Sequence, residues 1–213
     1  MGNLIKLPLS EITATLERLE QVGVTPEILK LIRTDFLMAR RVANAVLQTP
    51  FWHGKDGVIR FNVTSDGTWG EILIKRLEGD GFNVDACAKQ MLCSPDFKPT
   101  KGLTTEVVVL PGSFFGDNDR RTEKIRAEGA LRKLVVPNAE LACLIREKFT
   151  DKEIEAMGLS FIVAMHKPFF NCTHGPHLLR AHGEGRRWFS ASRGEPDVWW
   201  GRDGGFAFAV SPQ

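Results

Sequence analysis

From residue 169 onward the apolar residues come only in short pieces, such as Leu178-Leu179, Trp188-Phe189 and Phe206 to Val210, set between polar, glycine-rich loops. No piece is long enough to give a helix a buried face, so the stretch predicts short strands with long connections, a β-meander. It holds seven of the 20 glycines and three of the five tryptophans. Glycine frees the backbone for tight turns, and tryptophan supplies large anchors for loops. Whatever this chain folds into, its C-terminal part must be loop-rich β structure.

Upstream the order is clearer. Thr105 to Leu110 is a β-branched strand that stops at Pro111-Gly112. Asp117 to Leu134 predicts a charged amphipathic helix with Ile125 and Leu131 inward, and a second helix follows Pro137-Asn138 with Leu141, Leu144 and Ile145 apolar. Thr150-Asp151-Lys152-Glu153 is a capping box, which starts a third short helix ending at Gly158; Leu159 to Met165 is a further strand. Between residues 58 and 98, a strand (Val58 to Val63) ends at the turn Ser65-Asp66-Gly67. Helices over Trp69 to Glu78 and Asp85 to Leu92 follow. The Pro- and Lys-containing stretch Ser94 to Pro99 is the candidate domain boundary.

Residues 10–48 read as two helices. Thr25-Pro26 supplies an N-cap followed by proline at the first helical position. Ile28, Ile32, Phe36, Ala39, Ala43 and Leu47 then keep helical spacing to the Thr49-Pro50 stop. So wide an apolar face must pack on the rest of the chain or on a second copy, which makes these helices a candidate homo-oligomer interface. The expected layout is N-terminal helices over 1–50, a small α/β segment over 51–103 that braces the core, and a ligand-binding domain over 104–213.

A chain of 213 residues with 43% hydrophobic and 25% charged residues buries a real core, which excludes general disorder. A formal net charge of +2 gives no basis for a nucleic-acid partner. No apolar run approaches a membrane span, and residues 1–20 lack the features of a secretory signal. Met1-Gly2 opens like an acylation site, but Lys6 stands where that motif needs Ser or Thr. Cys87, Cys93, Cys143 and Cys172 are scattered without a CxxC, and so are expected as reduced thiols in a cytoplasmic protein. The chain has no tyrosine, which removes a common catalytic acid and the side chain most used in adaptable binding surfaces.

Two constellations compete for function. His166, Cys172, His174, His177 and His182 fall within a short span and offer imidazole and thiolate, the ligands zinc prefers. They define a metal- or Cys/His-dependent hydrolase as the alternative function, with zinc as its cofactor. Their spacing matches no zinc-finger or helical metalloprotease pattern, and Gly175-Pro176 makes the segment a loop. The carboxylates of Asp117-Asn118-Asp119 lack the later ligands of a calcium loop, and Arg186-Arg187-Trp188 alone is not a nucleic-acid surface. The second constellation is the Trp-, Arg-, Ser- and Gly-rich tail, whose residue types are those of binding surfaces.

The tail carries a resemblance. Gly183 to Ser192 (GEGRRWFSAS), Asp197-Val198-Trp199-Trp200 and the closing Gly204 to Val210 (GGFAFAV) resemble the C-terminal variable region of the variable proteins of diversity-generating retroelements. The resemblance spans about the last 110 residues, with its sharp part near 30. It implies an α+β chain in which a helical N-terminal region precedes a C-type-lectin-like domain with a small antiparallel sheet and long loops. It further implies binding of a protein ligand, without cofactor, through diversified side chains between about residues 178 and 206. The implied ligand-binding residues are Arg180, His182, Ser190, Ser192, Arg193, Asp197, Val198, Trp199, Arg202 and Asp203. Trp188, Trp200 and Phe206 are the implied scaffold anchors.

Overall fold

Asp56-Gly57 takes up positive φ at both positions (55° and 74°), the two-residue turn whose twist suits a hairpin. It joins β1 (His53–Lys55) to β2 (Val58–Asp66). The structure, a computed structural model, describes residues 52–170, 175–183 and 187–211, together with Thr25, Glu27 and Lys30. Trp52–Gln213 forms one compact unit and Met1–Phe51 another. The two expected N-terminal helices and their oligomer interface fall outside the described residues, those three apart.

After β2 come α1 (Gly70–Gly79), β3 (Asn83–Val84), α2 (Ala86–Leu92) and the long β4 (Lys101–Pro111). A 3-10 turn at Gly112–Phe114 leads to α3 (Thr122–Leu131), β5 (Leu134–Val135), α4 (Glu140–Lys148) and α5 (Asp151–Ala156). The last strands are β6 (Phe161–Ala164), β7 (His177–His182), β8 (Trp188–Arg193) and β9 (Gly204–Val210). All nine belong to one sheet in the order β1-β2-β4-β9-β6-β7-β8-β3, with β5 paired to β9. Two pairs are parallel, β6 with β9 and β3 with β8. Among the described residues no helix is long and apolar enough to cross a membrane.

This architecture overturns the expected C-type-lectin-like domain with its small antiparallel sheet. The first and last strands of 104–213 do pair, β4 with β9, but they sit inside a nine-stranded mixed sheet that also takes in β1, β2 and β3. The physical cause lies in β9. Its sequence, GGFAFAV, alternates small and large side chains, and six of its seven residues are buried. Small residues on one face and phenylalanines on the other let it sit at the sheet's centre with layers on both sides.

On one face Val108, Leu110, Val163, Met165, Leu178, Phe206 and Phe208 form a core closed by Ile125 of α3 and by Trp200. Gly129 lets α3 lie close, since a Cβ there would come 2.7 Å from the Phe208 ring. The other face carries α1, α2 and α4; Phe61 of β2 meets Phe149, just after α4, with ring centroids 4.7 Å apart. Asp85 caps α2 by accepting from the Ala88 N–H, and its other oxygen accepts from the Ala191 N–H of β8. The capping box at Thr150 forms as the sequence predicts. The expected inward Leu131 is instead 80% exposed, because six residues at about 100° each place it about 120° around α3 from the buried Ile125.

Cys93 is an exposed free thiol and Cys143 a buried one, whereas Cys87 is disulfide-bonded. The expectation of four reduced cysteines is corrected there.

Candidate functional site

Register places the polar residues of β7 and β8 together. Opposite residues of an antiparallel pair share a face, and residues two apart along a strand do too. Arg180 lies opposite Ser190 and Leu178 opposite Ser192, so Arg180, His182, Ser190 and Ser192 share one face. Val163 opposite Arg180 and Phe161 opposite His182 extend that face across β6, and Gly204 and Phe206 extend it across β9. The same face that is apolar and covered at Phe206, Val163 and Leu178 thus turns polar at Arg180.

The strip is wired internally. The Arg180 Nε–H donates to His182 Nε2 at 3.0 Å, and the Ser190 hydroxyl lies 2.7 Å from the same nitrogen. The Arg180 guanidinium stacks 4.9 Å from the centre of the Phe161 ring. From the opposite side of the sheet Arg146, fully buried, donates to the His182 and Phe149 carbonyls and pairs with Asp151 at 3.0 Å. Burial lowers the Arg146 pKa, an effect the nearby Asp151 opposes. Such a cation is held by its acceptors and fixes the backbone at the end of β7.

Next to the strip, the loop after β8 runs against the start of α3. The Thr122 N–H donates to the Val198 carbonyl, the Glu123 N–H to Pro196 and the Trp200 N–H to Arg120. The Trp200 indole N–H donates to Thr122 Oγ1 at 2.9 Å, a bond buried at both ends. This pinning holds Asp197 and Trp199 outward. The Arg121 guanidinium stacks 4.7 Å from the Trp199 ring, which is still 49% exposed.

The ten expected binding residues divide accordingly. Arg193, Asp197, Trp199, Arg202 and Asp203 are exposed, and Arg193 pairs with Glu195 at 3.1 Å. Arg180, His182 and Ser192 are half-buried in the strip. Ser190 is buried behind it, and Val198 packs against the core. Of the three expected anchors, Trp200 and Phe206 are buried but Trp188 is 42% exposed, on the strip's face, and so belongs to the surface. Sequence reasoning missed Phe161, Arg121 and Glu195 as participants. The first two come from segments distant in sequence, and only strand register brings them in.

The histidine constellation does not assemble as a ligand set within the described residues. His166 is buried, with its Nδ1–H donating to the Lys167 carbonyl at 2.7 Å and its Nε2 accepting from the Leu179 N–H at 2.9 Å. Burial pushes its pKa down to about 4, so it is a neutral strut with both nitrogens in use. His177 is buried with Nδ1 3.0 Å from the Gly175 carbonyl, and His182 belongs to the strip. Cys172 and His174 lie outside the described residues. Among the described residues no group of three or more His, Cys, Asp or Glu side chains is placed to hold a metal ion. No protein-family model matches the chain, and no curated protein or solved structure matches it.

Proposed function

We propose that the chain is a ligand-binding protein that takes up a protein partner on the β7–β8 strip and the adjoining loop. The observation that supports this is the change of character along one sheet face, from buried apolar residues to Arg180, His182 and Ser192. Around that polar strip stand two half-exposed tryptophans, Trp188 and Trp199, and the exposed Arg193 and Arg202. Tryptophan and arginine are the commonest energetic anchors of protein interfaces. In the retroelement form of this reading the exposed loop positions are the diversified ones. A source gene with neither a neighbouring reverse transcriptase nor a template copy of its 3′ end would remove that form and leave the binding surface standing.

A nucleophile–base pair is the competing use of the strip, because the Ser190 hydroxyl lies within hydrogen-bond reach of a histidine. The Arg180 N–H aimed at the same nitrogen opposes it, since it occupies the lone pair that a general base would need. Binding is therefore the better reading.

Random peptides displayed on phage and panned against the purified protein test it. Enriched peptides are expected to lose at least about tenfold in affinity with Trp199→Ala or Arg193→Glu, the cost of one interface anchor. Peptides that enrich yet bind both variants as well as the parent would refute it.

A further inference from the structure

On the opposite face of the sheet from the strip, beside β2, β4, β9 and α4, lies a cavity of about 390 Å³. Its walls are mostly apolar: Val63, Leu103, Val136, Leu141, Leu144 and Val210. Val63, Leu141 and Leu144 are core residues, whereas Leu103 and Val136 are about half exposed and stand at its rim. The size and the mostly apolar lining are those of a small-molecule site.

One ionisable group in the lining stands apart. Glu140, at the first turn of α4, is only 6% exposed, yet no cation pairs with it among the described residues. Its oxygens accept from Thr100, one from the backbone N–H at 2.9 Å and the other from the hydroxyl. Each oxygen therefore retains acceptor capacity. The other acid of the lining, Glu106, is already paired with Arg60 at 2.8 Å. Among the described residues no lysine or arginine lines the cavity. Burial raises the Glu140 pKa, as expected of a carboxyl that lacks a cation. A buried carboxyl of this kind is costly to keep, and a bound cation relieves the cost.

We propose that this cavity is a binding site for a small molecule with an apolar body and a protonated amine, the amine meeting Glu140. The site is separate from the strip and does not rest on the function proposed for it.

Three probes that share a tail and differ in the head group test the assignment: 4-phenylbutylamine, 4-phenylbutan-1-ol and 4-phenylbutanoate, each titrated into the full chain by calorimetry. The amine is expected to bind at least about tenfold more tightly than the alcohol, with the carboxylate weakest; one charge-assisted hydrogen bond suffices for that ratio. Glu140→Gln should abolish the preference for the amine. Val136→Trp, at an exposed rim position that leaves the core alone, should weaken all three probes by obstructing the mouth. Carboxylate binding equal to amine binding, amine binding unaffected by Val136→Trp, or no saturable binding of the amine at millimolar concentration would each overturn the proposal.

Discussion

The bond from the Trp200 indole to Thr122 joins the core to the loop after β8, and a double-mutant cycle measures it. Donor and acceptor are 2.9 Å apart, with Trp200 8% and Thr122 1% exposed. Thr122→Val keeps nearly the same shape but leaves the indole N–H buried without a partner, at a cost of about 1–3 kcal/mol. Trp200→Phe removes the donor and leaves a cavity of roughly 40 Å³, worth about 1 kcal/mol at ~24 cal/mol per Å³, and it strands the hydroxyl as well. In the double variant neither polar group is stranded. The two costs should therefore fall short of additivity by about 1–2 kcal/mol. Urea unfolding of the full chain followed by far-UV circular dichroism gives all four stabilities, and differences within one chain cancel what the N-terminal unit contributes. Single costs that add to within about 0.5 kcal/mol would mean the bond carries no coupling. The pinning of Asp197 and Trp199 would then need another cause.

Two further expectations concern the framework. Gly129→Ala should gain about 1 kcal/mol from helix propensity, but the added Cβ falls 2.7 Å from the Phe208 ring. Overpacking costs about 1–3 kcal/mol, so the melting temperature should fall, and a rise would refute the close contact. For His166, the folded pKa of about 4 lies below the usual 6.5. The unfolded chain therefore binds the extra proton first as pH falls, and stability present above pH 6.5 is lost between there and about pH 4. The loss amounts to about 3 kcal/mol. Unfolding free energies across that window should show this slope in the parent chain and a shallower one in His166→Gln; equal slopes would assign the titration to another group.

What was legible in the sequence was local. The capping box at Thr150, the helices at Trp69 and Asp85 and the strand at Thr105 are each specified by neighbours a few residues apart, and each forms, whereas β2 runs on through Ser65 and Asp66, where the sequence predicts a turn. What was not legible is pairing at long range. The parallel contact of β6 with β9 joins Phe161 to Gly204 across an intervening hairpin, and no local pattern records it. That contact makes the sheet mixed and defeats the lectin-like expectation. At the site, residues 180, 182, 190 and 192 entered as binding residues only through the resemblance of the tail, and strand register is what puts them on one face. The depth of each residue was not legible: Ser190 and Val198 turned inward and Trp188 outward.

That division of depth separates two kinds of residue within the surface. Arg180 and Ser190 both meet His182 Nε2 at half-buried or buried positions, so replacing His182 disturbs both contacts, at a cost of about 1–3 kcal/mol. Arg193 projects from the end of β8, and Asp197, Trp199, Arg202 and Asp203 project from the loop and turn that follow, whose backbone is held elsewhere, by Trp200, Thr122 and the Ser160 N–H bonded to the Asp203 carbonyl. Replacing such exposed side chains usually changes stability by less than about 0.5 kcal/mol. The strip is thus framework that shapes and polarises the surface, and on the proposed binding reading the loop is where specificity would change while the fold is kept. A scaffold able to vary its partner needs both properties. Here they sit side by side because β7 and β8 lie at the point where one sheet face passes from covered core to water.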